Sequence, residues 1–349
     1  MLGHDIDTWR YGTPLGLLPV TARLWRILHN DSFDTLHTTG STGEPKPIVI
    51  NRRCRNAALT SIIKVLGYDG TQREVVGIPL NHSYGLGHLY CTLVTGGYVH
   101  VSDGLKRPKR FVDALSNATG APMPPAMLAL LMGQYRDVFV PACKLKYIVC
   151  NTAPLPEALA RDVLDTFPDL DLWVYYGLTE ASRSTFHNLR ETRRFDSVGQ
   201  ASPGLELKTV NGEVWIRGQH VSPSCELVRG PPGCGDGWLR TGDLGTIDNK
   251  GFLTLDGRMD DIINVGGLKV SAKKIERDFA PFAPDVCVFG EPHPQLGQRP
   301  VIVVEDFVGW KFPETIKPYN GRVVCVAKIP HSETGKPLMA EIRRLVDAM

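Results

Sequence analysis

Much of what usually identifies a chain is missing from these 349 residues. No apolar run reaches the roughly 18 residues that a membrane-spanning helix requires, so no span is expected. The first residues, MLGHDIDTWRYG, carry charges early and no apolar core, which argues against a secretory leader and for a cytoplasmic protein. Neither sign of charge dominates: 39 Lys and Arg face 37 Asp and Glu, for a formal net charge of +2. Bulk charge therefore gives no case for a nucleic-acid partner. The eight cysteines are scattered without a CxxC pair, which excludes the usual zinc spacing and fits reduced thiols. There is no fixed-period repeat and no low-complexity stretch.

What is present reads as a folded protein with a core: 42% hydrophobic and 22% charged residues, in a length that suits about two domains. Strand-like and helix-like segments alternate, so the fold class is α/β. Tyr147–Cys150 and Leu172–Tyr176 read as short buried strands flanking a helix from Leu155 to Phe167, with Pro156 near its start. Phe111–Leu115 and Ala126–Leu131 read as helical pieces around Pro122, Pro124 and Pro125. From about Val198 the texture becomes β-rich. Glu206–Val210, Glu213–Arg217 and Gly251–Leu255 alternate like half-buried strands. Gly257–Asp261 reads as a boundary. Beyond it come a strand (Asp261–Val265), a Gly-Gly turn, a helix near Ser271–Phe279, strands at Val286–Gly290 and Val301–Asp306, and a closing helix from Met339.

Five motifs carry chemistry. Thr38-Thr39-Gly40-Ser41-Thr42-Gly43-Glu44-Pro45-Lys46 combines hydroxyls, glycines and a lysine that can wrap phosphate oxygens. It is not a Walker A loop, since Pro45 and Pro47 flank Lys46; taken alone, a polar surface turn explains it about as well. Tyr175-Tyr176-Gly177-Leu178-Thr179-Glu180 sets an aromatic face, a hydroxyl and a carboxylate at a strand end, where they can meet a base and a magnesium ion beside phosphates. A core Tyr and a capping Thr-Glu explain it equally. Asp243, in Arg240-Thr241-Gly242-Asp243, can accept two ribose hydroxyls, and Arg258 can bind the same ribose or a phosphate. The fourth motif is Gly266-Gly267-Leu268-Lys269-Val270. The fifth is Pro330-His331-Ser332-Glu333-Thr334-Gly335-Lys336.

In identity, order and spacing these five segments together resemble the acyl-activating, adenylate-forming superfamily: acyl- and aryl-CoA synthetases, peptide-synthetase adenylation domains and luciferase. The resemblance runs from about His37 to Lys336. It implies a large N-terminal domain of α/β subdomains with a β-rich subdomain, hinged to a small α+β C-terminal lid, here 1–257 and 258–349. It implies an AMP-forming acid–thiol ligase that uses ATP, Mg²⁺ and coenzyme A on a small carboxylic acid. A carrier-protein phosphopantetheine as acceptor, and a member that binds nucleotide or acid without turnover, are the alternatives.

Carried over by position, Thr38, Thr39, Gly40, Ser41, Thr42, Gly43 and Lys46 form the phosphate loop, and Thr152, Ala153 and Pro154 line the adenine. Tyr176 stacks on it beside Gly177, Thr179 meets the α-phosphate, Glu180 holds Mg²⁺, and Asp243 with Arg258 binds ribose. His82, Tyr84, Gly85, Gly87 and Arg183 flank the acid pocket. Arg183 either pairs with a second carboxylate on the substrate or is a structural Arg. Asp260 is the hinge, Gly267 and Lys269 serve the thiol step, and Lys336 is the catalytic lysine. Three departures stand out. Asn151 and Thr152 replace two glycines of the adenine segment, and Met339 stands where the family often has Arg. Only 36 residues precede His37, against a much longer region in the family, so a reduced or missing N-terminal subdomain is expected, with a homodimer as one way to cover an exposed sheet. The basic run Lys106–Arg110 reads as a solvated loop ahead of a site for coenzyme A phosphates or an acidic carrier.

Overall fold

The structure, a computed structural model, describes residues 34–39, 45–223, 237–280, 282–283, 285–305, 321–331 and 337–349, with 38, 39, 45 and 46 as backbone only. The fold is α/β, with mixed sheets flanked by helices. The chain folds as two compact units. One holds residues up to Lys208 with Trp215–Thr241 and Ile247–Leu253; the other holds Thr209–Val214, Gly242–Thr246 and Thr254–Met349.

In the first unit, β1 (Asp34–Thr39) and β2 (Pro45–Ile50) form an antiparallel pair. Helix α1 (Arg52–Leu66) follows. Asn51 caps it by accepting from the Cys54 N–H, and Gly67 ends it in the left-handed conformation that glycine adopts without strain. Then come β3 (Arg73–Val76), α2 (Ser83–Val94), β4 (Tyr98–Val101), α3 (Pro108–Leu115), β5 (Gly120–Pro122), α4 (Pro125–Met132), α5 (Arg136–Ala142), β6 (Tyr147–Cys150), α6 (Glu157–Thr166), β7 (Asp171–Val174), β8 (Thr185–Asn188), the single turn α7 (Leu189–Thr192) and β9 (Gln200–Ala201). Strands β3 to β9 make one seven-stranded sheet in the order β4-β3-β5-β6-β7-β8-β9. Its β4-β3-β5-β6-β7 portion is parallel and the last two pairings are antiparallel. The central parallel strands β5 and β6 are buried on both faces, which is why Tyr147–Cys150 is continuously apolar rather than alternating. One core cluster runs through this unit, from Leu59 to Leu189.

Strands β10 (Leu205–Val210), β11 (Glu213–Gly218), β12 (Trp238–Ile247) and β13 (Leu253–Arg258) form a four-stranded sheet that contributes residues to both units. Gly257 and Arg258, read from sequence as a boundary, close β13, and Met259–Asp261 follows as one 3₁₀ turn.

The second unit continues with β14 (Ile262–Val265), β15 (Leu268–Ser271), α8 (Ala272–Phe279), β16 (Val286–His293), β17 (Gly297–Glu305), β18 (Arg322–Val326) and α9 (Met339–Asp347). Its five-stranded sheet runs β15-β14-β17-β16, with β18 parallel to β17. The two-residue strand period divides its core. Val288, Ile302 and Val304 face Ile275 and Phe279 of α8, while Cys287, Phe289, Val301 and Val303 face Ile342 and Val346 of α9. The helix expected near Ser271–Phe279 stands as α8; what the sequence reading does not include is β15, onto which Gly266 and Gly267, at φ 59° and 89°, turn β14 back as a hairpin.

Candidate functional site

The order of the parallel strands fixes where a ligand can sit. After β3 the chain crosses to β4 on one side, then returns to β5 on the other, so β3 and β5 diverge at a topological switch point. Crevices of this kind open beyond the carboxyl ends of the strands. The motif segments of this unit lie there. Pro79–Gly85 follows β3, Asn151–Pro154 follows β6, and Tyr175–Glu180 follows β7. Hydrogen bonds tie them together: the Tyr84 hydroxyl donates to the Val149 carbonyl, and Asn151 Nδ2 donates to the Tyr175 carbonyl at 2.9 Å.

Beyond β7 the chain makes a narrow hairpin. Leu178 and Ala181 exchange both backbone hydrogen bonds, which leaves Thr179 and Glu180 as its two-residue loop. Gly177 is obligatory beside it, because a Cβ there would lie 2.5 Å from the Arg183 nitrogen. Tyr176 receives the Ser184 and Thr185 N–H groups on its carbonyl, and its own N–H donates to Thr185 Oγ1 at 3.0 Å. Glu180 is buried at 3% exposure and its carbonyl accepts from the Ser222 N–H. Its oxygens suit a hard divalent cation. Among the described residues no cluster of three His, Cys, Asp or Glu is present; one carboxylate with substrate phosphates is a donor set that magnesium accepts.

Behind the same hairpin, His220 Nε2 lies 3.1 Å from Ser184 Oγ. Burial pushes this imidazole down to about 4, so it is neutral at pH 7. The Ser184–His220 pair is not legible in the sequence, since a lone His in a turn gives no signal of its partner.

Of the acid-pocket residues, the structure brings Tyr84, Gly87 and Arg183 into contact. His82 is exposed and caps α2 in extended conformation. Tyr84 is buried, edge-on to Tyr175 at 5.7 Å. Gly85 is close to the Pro79 carbonyl, 2.8 Å from where a Cβ would sit. Arg183 is 2% exposed and adopts φ 58°, a left-handed backbone that costs a non-glycine residue on the order of 1 kcal/mol. Its guanidinium donates to the Ser83 and Tyr84 carbonyls and lies over the Tyr175 ring at 5.1 Å. Burial pushes the Tyr175 hydroxyl up to about 12 against the pull of Arg183, so the ring stays neutral.

Thr152 sits at φ 84°. This is one of the two positions where the resembling family has glycine. A β-branched residue there is strained, and the Asn151 side chain accepts the Thr152 N–H beneath it. Ala153 and Pro154 are exposed.

The β1–β2 pairing aligns Thr38 with Lys46 and Thr39 with Pro45. Gly40, Ser41, Thr42 and Gly43 lie outside the described residues, as does Lys336.

In the second unit, Arg258 Nε pairs with Asp243 Oδ1 at 3.1 Å, the carboxylate nearly buried and the guanidinium half-exposed. Glu213 accepts the Gly242 N–H at 3.0 Å and so braces β12 next to Asp243, a role the sequence does not signal. Asp260 is exposed in the 3₁₀ turn. Gly267 donates to Asn264 Oδ1 at the hairpin tip, and Lys269 is exposed on β15.

A second group the sequence does not reveal is wholly interior to the first unit. Glu74 of β3 accepts from Tyr68, Thr92 and Tyr147 hydroxyls and lies 3.0 Å from His88 Nδ1 of α2. Burial alone would raise its carboxyl, but His88, Thr92 and Tyr68 outweigh that and hold it below its ordinary value.

The chain is similar to known proteins along most of its length. The family model for AMP-binding enzymes matches residues 29–224. A probable CoA ligase (CCL5) of Humulus lupulus is 27% identical over 356 residues, covering 92% of this chain and 65% of its own length. Peroxisomal OPC-8:0-CoA ligase 1 of Arabidopsis thaliana is 26% identical, covering 92% and 65%. The chain thus spans just under two thirds of the length of these curated relatives. Among solved structures, the amide bond synthetase McbA of Marinactinospora thermotolerans superposes with a TM-score of 0.74 at 25% identity, over 89% of this chain and 69% of that one. ATP-bound MatB of Rhodopseudomonas palustris superposes with a TM-score of 0.77 over 89% and 67%, and at 22% identity speaks for the fold alone. No described helix is long and apolar enough to cross a membrane. With more than half of its length matched by one family model and its motif segments gathered past the strand ends, the chain belongs to the adenylate-forming, AMP-binding enzyme family.

Proposed function

We propose that this protein activates a carboxylic acid with ATP, releasing pyrophosphate, and passes the acyl group to the thiol of coenzyme A. Family membership over residues 29–224 carries the first half. The CoA-ligase relatives support the second.

A carboxylate is a poor electrophile. Its oxygen first attacks the ATP α-phosphorus, the bond to pyrophosphate breaks, and an acyl-adenylate forms. The step brings anions together and is helped by cations placed where charge develops. Tyr176 stacks on the adenine beside Thr152, Ala153 and Pro154, Asp243 and Arg258 hold the ribose, and Thr179 donates to the α-phosphate. The phosphate loop with Lys46 holds the β- and γ-phosphates. Magnesium on Glu180 supplies charge neutralisation when bound. Lys336 serves adenylation. Gly267 and Lys269 serve thiol attack, with the segment beyond Arg258 turning at Asp260 between the two steps.

Lys336→Ala is expected to abolish acid-dependent ATP–pyrophosphate exchange while sparing thiol attack on a supplied acyl-adenylate; full exchange in this variant would overturn the assignment. Product analysis with free coenzyme A, a holo carrier protein and a primary amine separates the acceptors. The amine belongs in that set because one solved relative is an amide bond synthetase.

A further inference from the structure

We propose that Ser222 is a positioning residue for adenylation: it ties the loop whose carboxylate takes magnesium to the strand that leaves the phosphate loop, so that metal and nucleotide bind as one unit. This rests on the acid-activating reading above, with Glu180 as the magnesium ligand.

Ser222 is 0% exposed and bonds in two directions. Its N–H donates to the Glu180 carbonyl at 2.8 Å, and its hydroxyl donates to the Val49 carbonyl of β2 at 2.7 Å. Val49 follows Lys46 on the same strand and precedes Ser222 by 173 residues. One residue therefore holds both segments that the metal must join. Strands β1 and β2 pair only with each other among the described residues, so the placement of this hairpin depends on packing and side-chain ties rather than on a larger sheet. Its other ties are at Asp34, which accepts from Arg55 at 3.1 Å and from the Tyr90 hydroxyl at 3.4 Å.

The residues before Ser222 grip the same two regions. Val221 forms a β-bridge with Ala181, directly after Glu180. The Cys54 thiol of α1 donates to the Val221 carbonyl at 3.1 Å, and burial raises this thiol, so it keeps its proton. Ser184 Oγ gives its one proton to the Ala181 carbonyl at 2.9 Å, so the bond to His220 takes its hydrogen from Nε2. All of these groups lie within the first unit. The chemistry explains why such a brace matters. Magnesium keeps a near-octahedral shell at about 2.0–2.1 Å and is shared here between a carboxylate and phosphates. A carboxylate and a phosphate loop held independently would have to be ordered by the ion, which weakens binding; a residue bonded to both has ordered them beforehand.

The test uses the full chain. ATP binding is measured by calorimetry in EDTA and across a series of magnesium chloride concentrations, for the wild type, Ser222→Ala, Ser222→Cys, Glu180→Gln and the Ser222→Ala, Glu180→Gln double variant. Ser222→Ala is expected to raise the magnesium concentration that half-saturates binding roughly tenfold. Binding in EDTA is expected to match the wild type, which with an unchanged Tm shows that the variant folds. Ser222→Cys keeps a weaker S–H donor and is expected to fall between. With Glu180→Gln in place, loss of the Ser222 hydroxyl is expected to change the magnesium dependence no further. A magnesium dependence that Ser222→Ala leaves unmoved overturns the proposal, as does equal weakening with and without magnesium, or full additivity in the double variant. Pyrophosphate exchange over a panel of short-chain, long-chain, aryl and dicarboxylic acids separates the two readings. A magnesium shift in Ser222→Ala without exchange from any acid upholds the brace and defeats acid activation. Exchange whose magnesium dependence is the same in Ser222→Ala and wild type does the reverse.

Discussion

Two buried charges flank helix α2, and they are treated in opposite ways. Glu74 is 0% exposed and every oxygen is engaged, by three hydroxyls and the His88 ring, so the anion is compensated on the spot. Arg183 is 2% exposed with two N–H groups unused and only neutral partners. A satisfied buried network locks the packing of β3, α2 and β6, whereas an unsatisfied buried ion is a cost to the fold alone. The contrast is between a charge compensated on the spot and one held by neutral partners within a single core.

The largest test removes the satisfied anion. Glu74→Ala removes the acceptor shared by the Tyr68, Tyr147 and Thr92 hydroxyls and the His88 ring, leaving Tyr68 and His88 only each other, and is expected to lower unfolding free energy by about 3–5 kcal/mol, read from denaturant midpoints. Because the Glu74 carboxyl lies below its ordinary value, its contribution is present above the unfolded-state value near ~4 and is lost as pH falls through the folded one. Should Glu74→Ala prove neutral, the network is not the lock described here.

His220 gives a pH-dependent counterpart. Its folded value of about 4 lies below the ordinary 6.5, so the unfolded chain takes up the proton first as pH falls. Stability is expected to drop between about pH 6.5 and 4, by up to roughly 3 kcal/mol. Thermal unfolding of wild type against His220→Gln across that range isolates the effect, which disappears in the variant.

Thr152→Gly relieves a β-branched residue at φ 84° and is expected to stabilise by about 1 kcal/mol. A lowered Tm would show that the Thr152 side chain contributes more than the strain it carries.

Arg183→Met is expected to change stability least, within about 1 kcal/mol, because it removes three hydrogen bonds and an uncompensated buried charge together. A loss as large as that of Glu74→Ala would erase the difference between the two charges.

Much of this molecule is legible in its sequence. Tyr147–Cys150 and the Pro156-led helix stand in the structure nearly as the apolar runs place them, because short buried strands and helix starts are local properties. The β-rich texture after Val198 is there as β10, β11 and β13. Helix α2 is not legible, because Gly85 and Gly87 each weaken a helix by about 1 kcal/mol relative to Ala. Their reason is non-local: the Pro79 carbonyl and the Arg183 guanidinium occupy the space a side chain would need. Strand β12 is hidden because Gly242 and Asp243 interrupt its pattern.

The sequence by itself determined the chemical inventory: which hydroxyls, carboxylates and lysines occur, in what order, and the family they resemble. Those are identities along a chain and need no third dimension. The tertiary structure alone decided which of them meet. The return from β4 to β5 creates the switch point that gathers the motif segments. Residues 14 apart in sequence make Glu74–His88 a pair, and residues 99 and 100 apart let Arg183 grip the first turn of α2. Burial then sets the character of each group, since a charge leaving water must find its partners nearby.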